Sequence, residues 1–273
     1  MTLHLEKVVA DAWRGDDPFA RARQQQGEIF RAKEGRRTVR FRIGARHYFL
    51  KLHQGVGWGE IVKNLLQLRL PVISARNEWR AIERLHQLGV GTMTAVAYGR
   101  RGCNPAKQTS FLITDELTGT TSLEALCANW ARRPPDFRLK RALIEQVAAI
   151  ARTLHRNGVN HRDFYLCHLL ADVSIGADNL TPERLRLYVV DLHRAQTRRR
   201  TPTRWIVKDL GALYFSALGI GLTSRDVLRF MRAYRGATTR RTLAEGALWR
   251  RVAQRAKRIH RRDFGRDAML PLA

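Results

Sequence analysis

The stretch His161-Arg162-Asp163-Phe164-Tyr165-Leu166-Cys167-His168, followed by Asp191-Leu192-His193, decides how the rest of the chain is read. The second motif ends the apolar run Leu185-Arg186-Leu187-Tyr188-Val189-Val190, which reads as a strand. Upstream, Leu143, Val147, Ile150 and Leu154 recur at i, i+4, i+7 and i+11, one buried face of a helix predicted over Asp136 to Asn157. Gly158 ends that helix and delivers the His161 loop. One carboxylate therefore sits in a loop after a helix, and a second at the mouth of a strand.

That placement suits phosphoryl transfer. One carboxylate accepts a hydroxyl proton and the other holds Mg²⁺ on the nucleotide phosphates. The kinase signature is H-R-D-L-x-x-x-N and then D-F-G. Here the motifs read H-R-D-F-Y-L-C-H and D-L-H. The pair resembles the protein-kinase-like fold, with Leu192-His193 in place of Phe-Gly and His168 in place of the metal-binding Asn.

Working outward, three segments alternate or turn as strands: Glu28 to Ala32, Thr38 to Ile43, and Arg46 to His53, which carries Lys51. Between the first two, the loop Lys33-Glu34-Gly35-Arg36-Arg37 would cover phosphates with one Gly, Gly35, where a kinase has three. Thr94 to Tyr98 and Ser110 to Leu117 complete a five-stranded antiparallel sheet. Ser74 caps a helix over Ala75 to Leu88 with the apolar stripe Trp79, Ile82 and Leu85. Glu78 on the edge of that stripe is the candidate partner for Lys51, and Glu83 is the competing carboxylate. A solvated Glu78, or a surface pair worth under about 1 kcal/mol, is the bland alternative. Asp115-Glu116-Leu117 falls where a kinase hinge offers backbone groups to adenine.

The insertion Gln54 to Pro71 contains Gly55-Val56-Gly57-Trp58-Gly59, which invites a dinucleotide fingerprint. Glu60 stands where the third Gly is needed, and no parallel βαβ unit surrounds it. A substrate-facing loop bearing Trp58, or a plain surface loop, accounts for it. After Asp191 only Arg194 to Pro202 precedes the next predicted helix, Arg204 to Leu218. A protein kinase needs a longer activation segment with A-P-E, so the acceptor hydroxyl is expected on a small molecule or glycolipid. Asp209 in that helix either braces the His161 loop or is a simple helix-surface residue. Ser224 to Tyr234 and Thr242 to Arg262 read as further helices.

The 273 residues suffice for two lobes, expected at 1–117 and 118–273. Fifty Lys and Arg against 24 Asp and Glu give a net charge of +26, which asks for a polyanionic partner. Three Cys without metal spacing speak against a disulfide framework and for a reducing compartment. Met1 to Trp13 carries Glu6, Lys7 and Asp11 and lacks the apolar core of a signal peptide. The longest uncharged run, Leu210 to Ser224, is short for a span and holds three Gly, so it reads as a buried helix and membrane contact as peripheral.

The wording His-Arg-Asp-Phe-Tyr-Leu-Cys-His-Leu-Leu and Val-Val-Asp-Leu-His-Arg-Ala-Gln resembles the lipopolysaccharide core heptose(I) kinases (WaaP type) of Gram-negative bacteria. The likeness covers nearly the whole chain. It implies an α+β, protein-kinase-like bilobal fold with a small five-stranded antiparallel N-lobe and a mainly helical C-lobe. It implies ATP-dependent phosphorylation of a heptose hydroxyl of the lipopolysaccharide inner core, O-4 of heptose I, with Mg²⁺ or alternatively Mn²⁺. Under this resemblance Asp163 is the base, Asp191 and His168 hold the metal, and Lys51 braced by Glu78 grips the nucleotide. Gly35, Asp115, Glu116 and Leu117 line the nucleotide, while Arg162, Arg194 and Trp58 meet the acceptor. The expected partners are the lipid A-core glycolipid, an anionic membrane surface and an acidic protein. The expected location is cytoplasmic, peripheral on the inner face of the inner membrane.

Two other classes compete. A kinase-like protein acting on protein, or an inactive adaptor, would share the motifs. A nucleic-acid-binding protein would share the charge, but no recognition module is present and the basic residues are spread along the chain. No nucleic-acid partner is expected.

Overall fold

The computed structural model describes residues 1–33, 35–55, 57–59, 74–104 and 106–271. The chain divides into two compact units. The first comprises Met1–Arg84, Met93–Leu117 and Leu192–Arg194; the second comprises Leu85–Thr92, Thr118–Asp191 and Ala195–Ala273.

In the first unit an antiparallel sheet runs in the order β1-β5-β6-β4-β3-β2. Its strands are β1 (Thr2–Leu5), β2 (Glu28–Lys33), β3 (Arg36–Ile43), β4 (Arg46–Gln54), β5 (Ala95–Arg101) and β6 (Thr109–Asp115). The five expected strands are all there. The sixth, β1, adds an edge strand to the expected five: Thr2 pairs with Arg100 and Leu5 with Ala97. Four mostly exposed residues carry no alternation to read. The partner strand, remote in sequence, supplies the ladder.

Alternation in β4 sends Tyr48, Leu50 and Leu52 to one face. There they meet Val9 of the helix Lys7–Ala12, Trp13 at its C-terminal cap, and Phe19 and Ala22 of the helix Pro18–Gln24, with Phe41, Phe111 and Ile113. Lys51 and His53 alternate to the opposite face, with Lys51 opposite Leu112 of β6. On that face lies the helix Arg76–Gln87. The Ser110 hydroxyl accepts the Ala75 N–H at 3.1 Å, and the Trp79 ring stacks on Tyr98 at 4.5 Å. These two contacts fix the helix's start and rotation.

The second unit is mainly helical. Its longest helices are Phe137–Arg156, capped by the Asp136 side chain, and Gly246–Phe264; Thr203–Ser216 and Ser224–Arg235 pack with them. The helix expected from Thr242 begins instead at Gly246, behind a short helix Thr239–Ala244, with Glu245 between them. The helix expected to Leu218 stops at Ser216. Three small strands, β7 (Thr120–Ser122), β9 (Leu169–Asp172) and β10 (Leu187–Val189), form one sheet, and β8 (Val159–Asn160) pairs with β11 (Gln196–Thr197). Gly91 and Thr92 strap onto β10: Gly91 O accepts the Val189 N–H at 2.8 Å, and Thr92 Oγ1 donates to Val189 O at 2.6 Å. A Cβ on Gly91 would stand 2.5 Å from Leu187 O, so only glycine permits this approach. Among the described residues no helix is long and apolar enough to cross a membrane.

Candidate active site

In the first unit Lys51 Nζ lies 2.5 Å from Glu78 Oε1. The Glu78 side chain is 1% exposed and that of Lys51 is 23% exposed, so the carboxylate depends on this ammonium for its charge balance. Glu78 Oε2 is buried without a hydrogen-bond partner among the described residues. The competing Glu83 is exposed. His53, one pleat from Lys51 on the same face, is buried; desolvation, with Arg36, Lys51 and His193 nearby, pulls its pKa down to about 3.

The other residues named for the nucleotide occupy defined places. Gly35, at φ +71°, turns β2 into β3, and a Cβ there would meet Gly55 O at 2.7 Å. Glu34 lies outside the described residues, and Arg36 and Arg37 belong to β3. Asp115 closes β6 and accepts the Thr94 N–H at 2.5 Å. Glu116 donates its N–H to His47 O, and its carboxylate takes two bonds from Arg40, at 3.0 and 2.9 Å. Leu117 ends the segment. Trp58 is 57% exposed, in helical backbone at residues 57–59, and residues 56 and 60–71 of the insertion lie outside the described residues. Arg194 sits in the one-turn helix Leu192–Arg194.

In the second unit Gly158 passes so close to the following segment that a Cβ would stand 1.7 Å from Arg198 O. The chain then enters β8 and the His161 loop. Asp209, buried in the Thr203–Ser216 helix, accepts the N–H of His161 at 2.7 Å and of Arg162 at 2.8 Å. Arg162 (φ +76°) and Asp191 (φ +61°) are the non-glycine residues in left-handed backbone among those described. Such a conformation is costly for a side-chain-bearing residue and persists where surrounding bonds over-determine it. For Arg162 the Asp209 carboxylate is one such bond.

Behind Asp209 stands His155, whose Nε2 is 3.4 Å from Asp209 Oδ2 and whose Nδ1 is 2.9 Å from the Tyr234 hydroxyl. A carboxylate only accepts, so Nε2 donates to Asp209, and Nδ1 shares a hydrogen bond with the Tyr234 hydroxyl. His155 and Tyr234 went unread in the sequence. Their chemistry is local to a buried triad whose members are remote along the chain.

Two histidines tie the carboxylate segments together. His161 Nε2 donates to Val190 O at 2.9 Å, and burial holds its pKa below the usual value. His168 stacks on it and donates from Nδ1 to Asp163 O at 2.7 Å, and its backbone carbonyl accepts the Val190 N–H at 3.0 Å. His168 Nε2 is 3.6 Å from Asp191 Oδ2. The Cys167 side chain, the Asp163 carbonyl and the Asp191 charge together outweigh burial and push the imidazole up to about 9.

A divalent cation fits the donor set of the Asp191 carboxylate and, once its proton is displaced, His168 Nε2. The Nδ1–H bond to a backbone carbonyl is the arrangement that orients a ligating imidazole. Among the described residues no cluster of three His, Cys, Asp or Glu could hold a metal, so phosphate and water oxygens would complete the coordination.

Fold and site together define a phosphotransferase of the protein-kinase-like class. Residues 20–234 match the sequence model of the lipopolysaccharide kinase (Kdo/WaaP) family. A Pseudomonas aeruginosa protein named lipopolysaccharide core heptose(I) kinase WaaP is 52% identical over 265 residues, covering 96% of this chain and 97% of the relative. The protein of the same name from Escherichia coli K12 is 47% identical over 261 residues, covering 95% of this chain and 97% of the relative. A solved structure titled WaaP in complex with acyl carrier protein superposes with a TM-score of 0.81 at 47% identity, over 95% of this chain and 100% of that one. The chain belongs to the lipopolysaccharide kinase (Kdo/WaaP) family and is a kinase.

Proposed function

We propose that the chain transfers the γ-phosphoryl group of ATP to a heptose hydroxyl of the lipopolysaccharide inner core, O-4 of heptose I, during assembly of that glycolipid. The observation that carries this reading is the 52% identity, over 96% of the chain, to a relative named for that substrate. The Lys51–Glu78 pair at 2.5 Å and the Asp209 bonds to the loop that carries Asp163 support it.

Asp163, in the loop fixed by Asp209, orients the acceptor hydroxyl and accepts its proton as the oxygen attacks the γ-phosphorus and ADP leaves. Lys51, held by Glu78, grips the nucleotide phosphates, and residues 1–117 act as the nucleotide-covering part of the chain. Gly35 and the Asp115-Glu116-Leu117 segment contribute to the nucleotide pocket. Asp191 with His168 would hold Mg²⁺ or Mn²⁺. When bound, the cation neutralises charge on the phosphate oxygens. Arg162, Arg194 and Trp58 face the acceptor.

The high positive charge and the absence, among the described residues, of a membrane-crossing helix support peripheral attachment to an anionic membrane surface on the cytoplasmic side. A complex with an acyl carrier protein is part of the proposal and rests on the solved relative. The test is incubation with ATP and core glycolipid, followed by mass and linkage analysis of the core sugars. One added phosphate on heptose I O-4 is expected, and none with Asp163→Ala although that variant still binds ATP. Phosphate appearing on another sugar, or an active Asp163→Ala enzyme, refutes the respective part.

A further inference from the structure

Four cations gather around one indole ring. From the Trp205 ring centroid, Arg162 Cζ lies at 5.1 Å, Lys208 Nζ at 5.4 Å, Arg204 Cζ at 5.5 Å and Arg198 Cζ at 5.7 Å. We propose that Trp205 with Arg162, Arg198, Arg204 and Lys208 forms an oxyanion receptor that holds an anionic group, phosphate or carboxylate, of the acceptor glycolipid beside the reacting hydroxyl. This deepens, and rests on, the acceptor reading above.

A ring face attracts cations, but the Arg198 and Arg204 guanidiniums gathered on this one repel each other, and they gain most when an anion joins them. Among the described residues neither Arg198 nor Arg204 pairs with a carboxylate. The influences on the Arg198 guanidinium are burial and the Arg204 charge, and both oppose its ionisation. Arg198 is nonetheless held in place, donating to Asn160 Oδ1 and Gln196 Oε1. Two of its donors are thus spent on positioning, and a guanidinium has five.

Two further features point to an oxyanion. Trp205 Nε1 is buried without a hydrogen-bond partner among the described residues, a donor that an acceptor atom would satisfy. Trp205 is also the third residue of the Thr203–Ser216 helix, whose Pro202 cap supplies no side-chain bond. The positive end of a 14-residue helix therefore adds to the field of the four cations.

The location fits the role. Arg162 is the residue before Asp163, and its backbone is pinned by Asp209. An anion seated on Arg162 is anchored one residue from the proposed base, which orients whatever hydroxyl the same molecule carries. Guanidinium groups match phosphate and carboxylate equally well in shape, so both are tested.

The experiment uses the full chain. Tryptophan fluorescence is titrated with inorganic phosphate and, separately, acetate, in wild type and Trp205→Phe. A saturable change present in wild type and missing in Trp205→Phe and in Arg198→Met/Arg204→Met is expected, and the stronger anion identifies the group. In parallel, Arg204→Met should raise KM for the acceptor about tenfold while KM for ATP changes less than about twofold, since among the described residues Arg204 pairs with no carboxylate of the protein. No Trp205-dependent signal, or an unchanged acceptor KM, overturns the receptor and leaves cations that merely coat the indole. A KM effect seen with vesicle-embedded acceptor but absent with the delipidated core oligosaccharide assigns the anion to the membrane and also overturns it. Wild type that fails to phosphorylate the acceptor defeats the functional reading instead, while the phosphate titration still decides the receptor.

Discussion

The buried carboxylate of Asp209 accepts the backbone N–H of His161 at 2.7 Å, joining the middle of one helix to a loop 48 residues earlier in the chain. The same carboxylate holds the N–H of Arg162, whose φ of +76° it helps to maintain. The shape of the Asp163 loop is thus set from behind, through backbone groups.

Asp209→Ala leaves the buried N–H of His161 and the half-buried N–H of Arg162 unsatisfied and releases a strained residue. Each orphaned donor costs about 1–3 kcal/mol. A denaturant midpoint lowered by that order is expected, together with a kcat reduced about a hundredfold and little change in KM for ATP. Tyr234→Phe removes one hydrogen bond from His155 and should cost only about 1 kcal/mol. Paired denaturation curves and steady-state kinetics check both; a fully active Asp209→Ala enzyme would remove the brace from the mechanism.

Lys51→Ala strands the Glu78 carboxylate, which is 1% exposed. Breaking such a pair on one side costs roughly 3–5 kcal/mol. Lower stability, weaker ATP binding and lower turnover are expected together. Lys51→Ala/Glu78→Leu, which removes both charges, should regain stability without regaining activity. Calorimetry of nucleotide binding, with thermal melts of the three proteins, separates the two losses.

Stability should fall with acid through His53. Its pKa is pulled to about 3 in the fold, chiefly by burial, against an ordinary value of 6.5 when unfolded. Below pH 6.5 the unfolded chain takes up a proton that the folded one refuses, so the stabilisation is complete above that pH and is lost progressively down to about 3. Among the described residues the charged groups facing it are Arg36, Lys51 and His193, all of which disfavour its charge. His53→Leu should flatten the stability profile between those limits by a few kcal/mol, on the order given by 1.4 kcal/mol per pH unit. Urea midpoints at a series of pH values measure it, and parallel wild-type and variant profiles would rule the effect out.

His168 stands where a kinase places Asn, with Nε2 3.6 Å from Asp191 Oδ2. Imidazole favours transition ions over Mg²⁺, which prefers oxygen. His168→Asn is expected to keep activity and shift preference from Mn²⁺ toward Mg²⁺, whereas His168→Ala loses most activity. Rates with both metals in both variants decide this. A His168→Ala enzyme with unaltered rate and metal dependence would make the histidine a packing residue.

Much of the architecture was legible in local pattern. The alternation of β3 and β4, the 3.6-residue stripe of the Phe137–Arg156 helix and the glycine stop at Gly158 are each properties of a few neighbouring residues. Such patterns survive in sequence because burial of one face imposes them residue by residue. The motifs around Asp163 and Asp191 were legible for the same reason, being short and contiguous, and they pointed to the family. The tertiary structure alone decided what depends on groups distant along the chain. It selected Glu78 over Glu83 beside Lys51, through the rotation set by Trp79 on Tyr98. It turned Asp209 from a helix residue of two readings into the brace of His161, added β1 to the sheet edge, and gathered three arginines and a lysine on Trp205. None of these pairings leaves a periodic trace. Each is fixed by the packing of whole elements, and that packing is a sum over many contacts which no single stretch of the chain encodes.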